Sequence, residues 1–237
     1  MANTYFSFKQ FTVHQDRCAM KVGIDGVLLG VWASTGNASR ILDIGTGTGL
    51  IALMLAQRCS SIIDSIDIHP NAVMQARENI RLSPWANRIN VEEISLQNYA
   101  ATTTLRYDLI VSNPPYFVNS LKAPDGERAT ARHTDTLTHE ELILNAMILL
   151  SPLGRICIIL PVVEAAGCKK YASSKGLFCT KEVKVIPKPN AEVKRILLEF
   201  GFKDNQNQVS ELVIESTTRH QYSEEFILLA KDFYLRF

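Results

Sequence analysis

The chain has 237 residues, a length that suits one α/β domain or two smaller ones. Hydrophobic residues make up 46% of it and charged residues 21%, and these ordinary shares predict a globular protein with a self-supporting core. No run of about 18 apolar residues is present, which argues against a membrane-spanning helix.

Cysteine and histidine residues show no spacing that indicates a metal site. The five cysteines are odd in number and lack a CxxC pair, and the five histidines are scattered along the chain. Neither a zinc site nor a Cys/His nucleophile pair is therefore predicted. The first residues lack the apolar core of a signal peptide, so we expect a cytoplasmic protein with reduced thiols.

The formal net charge of +1 hides an uneven distribution. Residues 165–203 hold nine Lys and Arg residues and three Glu residues, a net charge of +6. A surface that faces phosphate groups would produce this distribution, and an ordinary solvated surface is the alternative. Three lysines of this segment are the candidate RNA contacts: Lys169, Lys170 and Lys175.

From Arg40 onward, short apolar runs alternate with helical patterns. The runs are ILDIG, GLIALMLAQR, SIIDSIDI, NAVMQARENI, INVEEI, YDLIVSN, HEELILNAMILL and GRICIILP. Such alternation is typical of βαβ units, and continuous apolar strands are typical of a sheet covered on both faces. The sequence therefore predicts an α/β fold with a mostly parallel central sheet and helices on both faces.

After Pro161 the pattern changes to a helix near residues 164–174 and three strand-like runs. Short polar turns separate these runs, which suits an antiparallel edge built from the C-terminal strands. Ser223 is a candidate N-cap of a terminal helix. We expect one domain over residues 40–237, preceded by an N-terminal extension over residues 1–39.

A glycine-rich loop lies where the first predicted strand meets a helix. The sequence LDIGTGTG covers residues 42–49, and its glycines allow a tight turn and a close approach to a nucleotide. Leu50 occupies the place of the third glycine in the dinucleotide fingerprint GxGxxG, which weakens a hydride-transfer interpretation. Asp67 ends the next strand and is placed to accept hydrogen bonds from ribose hydroxyls.

A second candidate site is the tetrapeptide Asn113-Pro114-Pro115-Tyr116, which follows the strand YDLIVS. The Asn113 amide oxygen and the Pro114 carbonyl can accept hydrogen bonds from an NH2 group, which favours the tetrahedral transition state of methyl transfer to nitrogen. Tyr116 offers a ring for stacking on a planar base or amide. A structural turn is the alternative interpretation of the two prolines.

These two motifs resemble those of class I methyltransferases, which have a Rossmann-like fold and use S-adenosylmethionine. The resemblance implies that Ser95 and Leu96 lie near the cofactor adenine, although other family members often have an acid at the serine position. It also places Asn113 beside the cofactor. The further cofactor-binding residues that it implies are Asp43, Gly45, Thr46, Gly47, Gly49, Asp67 and Ile68.

Residues 117–138 show little periodicity and contain charged and small side chains. Loops of this length are often active-site lids or disordered segments. Arg128, Arg132 and His133 are candidate phosphate contacts there, and solvated lid residues are the alternative.

Several longer segments extend the resemblance to nearly the whole chain. They are FSFKQF, KVGIDGVLLGVWA, LDIGTGTGLIALMLAQR, SNPPYF, ARHTDTLTHEEL and YSEEFILLAKDFYLRF. Together they resemble the bacterial tRNA adenine-N6 methyltransferases that modify the adenine beside the anticodon of a valine tRNA. The resemblance implies a tRNA substrate and a cofactor site covered by the N-terminal extension. It also implies that Lys21 and Asp25 contact the cofactor, whereas the local pattern alone indicates a helix N-cap at Asp25.

Other functions remain compatible with the motifs. A methyltransferase acting on a glutamine amide of a release factor, or on guanine N2 of ribosomal RNA, would share NPPY. A nicotinamide-dependent oxidoreductase would use the glycine loop and Asp67 but would leave NPPY unexplained. A non-catalytic RNA-binding module is the remaining alternative. The sequence leaves the oligomeric state open, and a monomer is compatible with it.

Overall fold

A computed structural model describes residues 3–18, 20–115, 137–218 and 221–236. Ten strands and seven helices lie within these residues. The strands are β1 Tyr5–Ser7, β2 Thr12–His14, β3 Arg40–Ile44, β4 Ile62–Asp67, β5 Ile89–Glu93, β6 Tyr107–Ser112, β7 Leu150–Pro161, β8 Phe178–Ile186, β9 Arg195–Gly201 and β10 Gln208–Val213. The helices are α1 Ile24–Trp32, α2 Leu50–Arg58, α3 Pro70–Arg81, α4 Leu96–Thr102, α5 His139–Leu149, α6 Val162–Ser174 and α7 Glu224–Ala230.

Eight strands form the main sheet in the order β10-β8-β9-β7-β6-β3-β4-β5. Every pairing in it is parallel except the two made by β9, which runs opposite to its neighbours β7 and β8. The mostly parallel sheet is therefore confirmed. The expected antiparallel edge is only partly correct, because β9 is flanked on both sides and β10 pairs in parallel with β8.

Helices cover both faces of this sheet, as the continuous apolar strands predict. Successive residues of a strand point to opposite faces, so Leu109 and Val111 of β6 join one core while Ile110 joins the other. The first core includes residues of α1, α2 and α7, and the second includes residues of α5 and α6. Burial on both faces explains the continuous apolar run Leu109–Val111 in the middle of β6.

The N-terminal extension forms a small hairpin that the sequence analysis did not predict. Strands β1 and β2 pair in an antiparallel manner, and Phe8 and Phe11 lie in the turn between them. Phe8 stacks on Phe11 at a centroid distance of 4.7 Å, and both rings are buried. Tyr234 packs against Phe8 at 5.8 Å, so the hairpin contacts the end of the chain.

Helix α1 packs closely on α2 because two of its residues lack a side chain. A Cβ atom on Gly30 would lie 2.7 Å from Sδ of Met54, and one on Gly26 would lie 3.0 Å from Leu50. The segment DGVLLG is therefore explained by helix packing. Asp25 is not the helix N-cap, since the cap is Gly23 and Asp25 lies in the first turn.

The terminal helix α7 begins as predicted. The hydroxyl of Ser223 accepts a hydrogen bond from the amide of Phe226 at 3.1 Å and so caps the helix. Phe226, Ala230 and Phe233 are buried against the first core, whereas Leu229 is 37% exposed. The helix therefore docks through a narrow apolar face. Among the described residues, no helix has the length and apolar character needed to cross a membrane.

A buried polar cluster lies at the amino edge of the sheet, where β4 and β6 begin. The carboxylate of Asp64 accepts hydrogen bonds from the guanidinium of Arg40 at 2.6 Å, from the side-chain amide of Asn90 at 2.8 Å and from the hydroxyl of Tyr107 at 2.9 Å. The hydroxyls of Tyr107 and Tyr99 also hydrogen-bond each other. Burial raises the pKa of Tyr107 well above its ordinary value. This cluster therefore joins four strands, β3 to β6, and α4 by side-chain hydrogen bonds.

Candidate active site

A cavity of about 450 Å³ opens at the carboxyl edge of the sheet. The ends of β3, β4, β5 and β6 meet there, since neighbouring parallel strands end at the same edge. The glycine loop, the residues after β4 and β5, and the segment Asn113–Pro115 all line it. Because β6 pairs directly with β3, the two motifs predicted from the sequence are neighbours in space.

The glycine loop is held open by its backbone. Gly45 and Gly47 have φ angles of +71° and +56°, which residues with a Cβ rarely adopt. A Cβ at either position would meet nothing within 4 Å, so both glycines border open space. The amide of Gly45 donates to the carbonyl of Ile66 at 2.9 Å, which ties the loop to β4. Gly49 is the N-cap of α2 and does not line the cavity.

The carboxylate of Asp67 lies in the cavity and is fixed by two backbone amides. Its Oδ2 atom accepts a hydrogen bond from Gly47 at 2.9 Å, and its Oδ1 atom accepts one from His69 at 2.9 Å. A carboxylate has about four acceptor positions, so both oxygens can accept further hydrogen bonds. The neighbouring Ile68 is 41% exposed and also lines the cavity.

Asp43 lies beneath the loop and does not line the cavity. It is completely buried, and its Oδ2 atom accepts a hydrogen bond from the hydroxyl of Thr46 at 2.7 Å. Burial raises the pKa of Asp43 to about 7, while the hydrogen bonds from Thr46 and from the Ala52 amide act in the opposite direction. Asp43 and Thr46 therefore brace the loop from behind.

Residues that follow β5 and β6 also form part of the cavity wall. Ser95 caps α4 by accepting a hydrogen bond from Asn98, and both Ser95 and Leu96 line the cavity. Asn113 is half-buried, Pro114 is buried and Pro115 is exposed. All three residues line the same cavity as Asp67.

The structure places Lys21 and Asp25 outside the cavity lining. Lys21 is exposed, and its ammonium donates to the carbonyl of Asn3 at 3.4 Å. Asp25 accepts a hydrogen bond from Nε of Arg195 at 2.9 Å and so joins α1 to β9. The location of both side chains therefore differs from that implied by the resemblance.

Other residues of the extension do line the cavity, and the sequence analysis missed them. They are Arg17, Cys18 and Met20. Burial, together with the nearby carboxylates of Asp67 and Asp16, raises the pKa of Cys18 to about 11. Cys18 is therefore a neutral part of the wall near pH 7.

The N-terminal end of α5 also contributes to the cavity, since Leu137, just before the helix, and Glu141 in its first turn line it. Thr138 and Glu141 form a capping box, and these hydrogen bonds hold the pKa of Glu141 below its ordinary value. The spacing T-x-x-E could have revealed this cap in the sequence. Four predicted site residues, Tyr116, Arg128, Arg132 and His133, lie outside the described residues.

The basic segment 165–203 is divided between the two edges of the sheet. Lys169 forms an ion pair with Glu182 at 2.6 Å. Lys170 is exposed on α6, and Lys175 follows the end of α6 at the amino edge, where β8 begins. Lys188 and Lys194 are exposed in the connection between β8 and β9, at the carboxyl edge. The three lysines predicted as one RNA-binding group therefore do not share one surface with the cavity.

Comparison with known proteins agrees with this arrangement. Residues 26–165 match the family model described as the methyltransferase small domain. This match covers more than half of the chain, from α1 to the first turn of α6, and includes the glycine loop and Asn113.

Relatives that match the chain over its whole length carry a single name, tRNA1(Val) (adenine(37)-N6)-methyltransferase. The protein from Parabacteroides distasonis is 52% identical and that from Trichodesmium erythraeum 49%, each with all of both chains covered. The protein from Aeromonas salmonicida is 46% identical over 99% of this chain and 98% of its own. The chain therefore belongs to the methyltransferase small domain family and, within it, to the family of these named relatives.

Solved structures show the same fold at low sequence identity. A predicted O-methyltransferase from Agrobacterium tumefaciens has a TM-score of 0.67 and 20% identity, with 88% of this chain and 96% of that chain covered. A ribosomal protein L11 methylase from Lactobacillus delbrueckii has a TM-score of 0.57 and 16% identity, with 78% and 82% covered. The predicted class I methyltransferase fold is thus confirmed.

Proposed function

We propose that the chain transfers a methyl group from S-adenosylmethionine to N6 of adenine 37 in tRNA1(Val). The observation that carries the proposal is that Asn113 and Pro114 line the same cavity as Gly47 and Asp67. The name carried by the full-length relatives supplies the substrate, and cytoplasmic action on tRNA is part of the proposal.

The residues of the cavity fit S-adenosylmethionine. A volume of about 450 Å³ lies within the range of sites that enclose a small ligand. Asp67 would accept hydrogen bonds from the ribose hydroxyls, while Ile68 and Leu96 would border the adenine and Gly45 and Gly47 the amino-acid part. When bound, S-adenosylmethionine supplies an electrophilic methyl group. Among the described residues, no cluster of side chains could hold a metal ion.

The chemistry of the chain's own residues concerns the amine that accepts the methyl group. In adenine the N6 lone pair is conjugated with the ring and is a poor nucleophile. The Asn113 amide oxygen and the Pro114 carbonyl would accept hydrogen bonds from the two N–H groups and favour the tetrahedral geometry that frees the lone pair. The extra proton can leave after transfer, so the residues need only orient the amine and exclude water.

A tRNA substrate must approach the carboxyl edge, because Asn113 lies there. An anticodon-loop adenine is already unpaired, so its entry into the cavity avoids the cost of opening a duplex. Of the basic segment, Lys188 and Lys194 are exposed at this same edge. They replace Lys169, Lys170 and Lys175 as our candidates for contacts with the RNA backbone.

The direct test is methyl transfer with labelled S-adenosylmethionine, the purified protein and unmodified bulk tRNA. We expect label in tRNA and, after nuclease digestion, N6-methyladenosine mapped by mass to the position beside the anticodon of tRNA1(Val). Release factor protein and ribosomal RNA serve as alternative acceptors. Labelling of either one in place of tRNA would contradict the proposed substrate.

A further inference from the structure

Three buried carboxamide side chains fasten the segment that leads from the N-terminal hairpin to α1. Asn79 on α3 is 1% exposed, Gln75 on the same helix is fully buried, and Gln15 is 5% exposed. Amide side chains are rarely buried without hydrogen bonds, because a polar group that leaves water unpaired is destabilising. Among the described residues, Nε2 of Gln75 has no partner. The hydrogen bonds that the three side chains make show what they hold.

Asn79 connects two segments that the sequence places far apart. Its Oδ1 atom accepts a hydrogen bond from the amide of His14 at 2.9 Å. Its Nδ2 group donates to the carbonyl of His14 at 2.9 Å and to the carbonyl of Thr48 in the glycine loop at 2.8 Å. One side chain thus holds both the extension and the glycine loop against α3.

The other two amides hold the next residues of the extension. Gln75 accepts a hydrogen bond from the amide of Arg17 at 3.1 Å. Gln15 accepts one from the amide of Val22 at 2.8 Å and donates to the carbonyl of Asn3 at 3.0 Å. The backbone is therefore held at His14, at Arg17 and at Val22.

This segment contributes part of the cavity wall. Arg17, Cys18 and Met20 line the cavity together with the residues that follow β4, β5 and β6. None of the three belongs to a helix or strand, so their position depends on the hydrogen bonds around them. The hairpin joins the first core through Phe8, Phe11 and Val13, and Val22 packs against that core where the segment ends. Between these apolar anchors, the hydrogen bonds of Asn79 and Gln75 hold the backbone.

We propose that Asn79, supported by Gln75, is a positioning residue for cofactor binding. It sets the wall formed by Arg17, Cys18 and Met20 relative to the glycine loop, so that the cavity has its binding shape before the cofactor arrives. The proposal rests on the proposed function, since it takes the cavity to be the S-adenosylmethionine site. A preformed wall avoids the entropic cost of ordering a loop on binding.

The test compares Asn79→Ala with Tyr107→Phe, which removes a buried hydroxyl at the opposite edge of the sheet. Calorimetry with S-adenosylhomocysteine and hydrogen exchange of the ligand-free protein are the two measurements. We expect Asn79→Ala to raise the dissociation constant about tenfold or more and to speed exchange at residues 14–22. Tyr107→Phe should change neither, although it lowers the stability.

Gln75→Ala provides a second and milder test, because it removes only the hydrogen bond to Arg17. We expect the dissociation constant to rise about threefold to tenfold, and kcat at saturating cofactor to stay nearly constant. An unchanged affinity in folded Asn79→Ala overturns the proposal, as does an equal loss in Tyr107→Phe. If Asn79→Ala does not fold, unchanged affinity in Gln75→Ala overturns it. Absence of S-adenosylhomocysteine binding by the unmodified chain would instead contradict the proposed function.

Discussion

The carboxyl edge and the amino edge of the main sheet each hold an aspartate of β4, in different surroundings. Asp64 at the amino edge accepts hydrogen bonds from three side chains, including the cation of Arg40. Asp67 at the carboxyl edge accepts hydrogen bonds from two backbone amides and faces a cavity. Side chains thus occupy three of about four acceptor positions of Asp64. Two backbone amides orient Asp67 and leave acceptor positions towards the cavity, as the proposed contact with ribose requires.

The largest effect is expected for Asp64→Ala. Removal of three hydrogen bonds to a carboxylate, worth about 1.5 kcal/mol each, should lower the free energy of unfolding by about 4 kcal/mol. Urea denaturation measures this loss, and Tyr107→Phe should give about 2 kcal/mol because only the bonds to Asp64 and Tyr99 disappear. Affinity for S-adenosylhomocysteine should stay constant in both variants. The comparison fails if the binding free energy of S-adenosylhomocysteine in Asp64→Ala falls by as much as the free energy of unfolding.

Asp67→Ala should produce the converse result. We expect the dissociation constant of S-adenosylhomocysteine to rise about 100-fold, because the ribose would lose charge-assisted hydrogen bonds worth about 1.5 to 3 kcal/mol each. Calorimetry of Asp67→Ala and Asp64→Ala side by side is the measurement. Equal affinities in the two variants would remove Asp67 from the binding site.

Asn113→Ala should lower kcat about 30-fold or more, which corresponds to about 2 kcal/mol in the barrier. The reason is that one acceptor for the amine is lost while the cofactor contacts of Asp67 and the glycine loop remain. Single-turnover methylation of tRNA measures the rate, and calorimetry checks that cofactor affinity is kept. Asn113→Asp, which retains acceptor oxygens, should keep more activity than the alanine variant. Full activity in Asn113→Ala would refute its role.

The smallest effect is expected for the lysines, and here the two edges give a matched pair. Lys188→Ala with Lys194→Ala removes two charges at the carboxyl edge, and Lys175→Ala with Lys203→Ala removes two at the amino edge. The first pair should raise the tRNA dissociation constant about tenfold and reduce its salt dependence by about 1.5 log units per log unit. The second pair should change little. Filter binding across a salt series measures both quantities. Identical tRNA binding by the two double variants would contradict the proposal that the carboxyl-edge surface contacts tRNA.

Much of the fold and the centre of the site could be predicted from the sequence. The periods of apolar residues identified the strands, and the strand ends then placed the glycine loop, Asp67 and Asn113 at one edge. This worked because each signal is local, and because parallel strands end on the same side. Helix α4 was missed, since LQNYAAT is short and weakly periodic.

The rest depends on contacts between distant residues. His14 meets Asn79 across 65 positions, and Asp25 meets Arg195 across 170 positions. No local pattern shows that Asp25 would turn towards β9 or that Arg17 would reach the cavity. The lysines of residues 165–203 looked like one group because they are neighbours in sequence, whereas α6 and the strands that follow carry them to opposite edges.

The two ends of the chain are joined directly. The amide of Lys9 donates to the carbonyl of Phe233 at 2.8 Å, and its ammonium donates to the carbonyl of Lys231 at 2.6 Å. Lys9 therefore gains these partners only after residues 231 and 233 have been synthesised. A nascent chain can assemble its central strands earlier, but the hairpin that precedes the cavity wall is secured only when the segment after α7 is available.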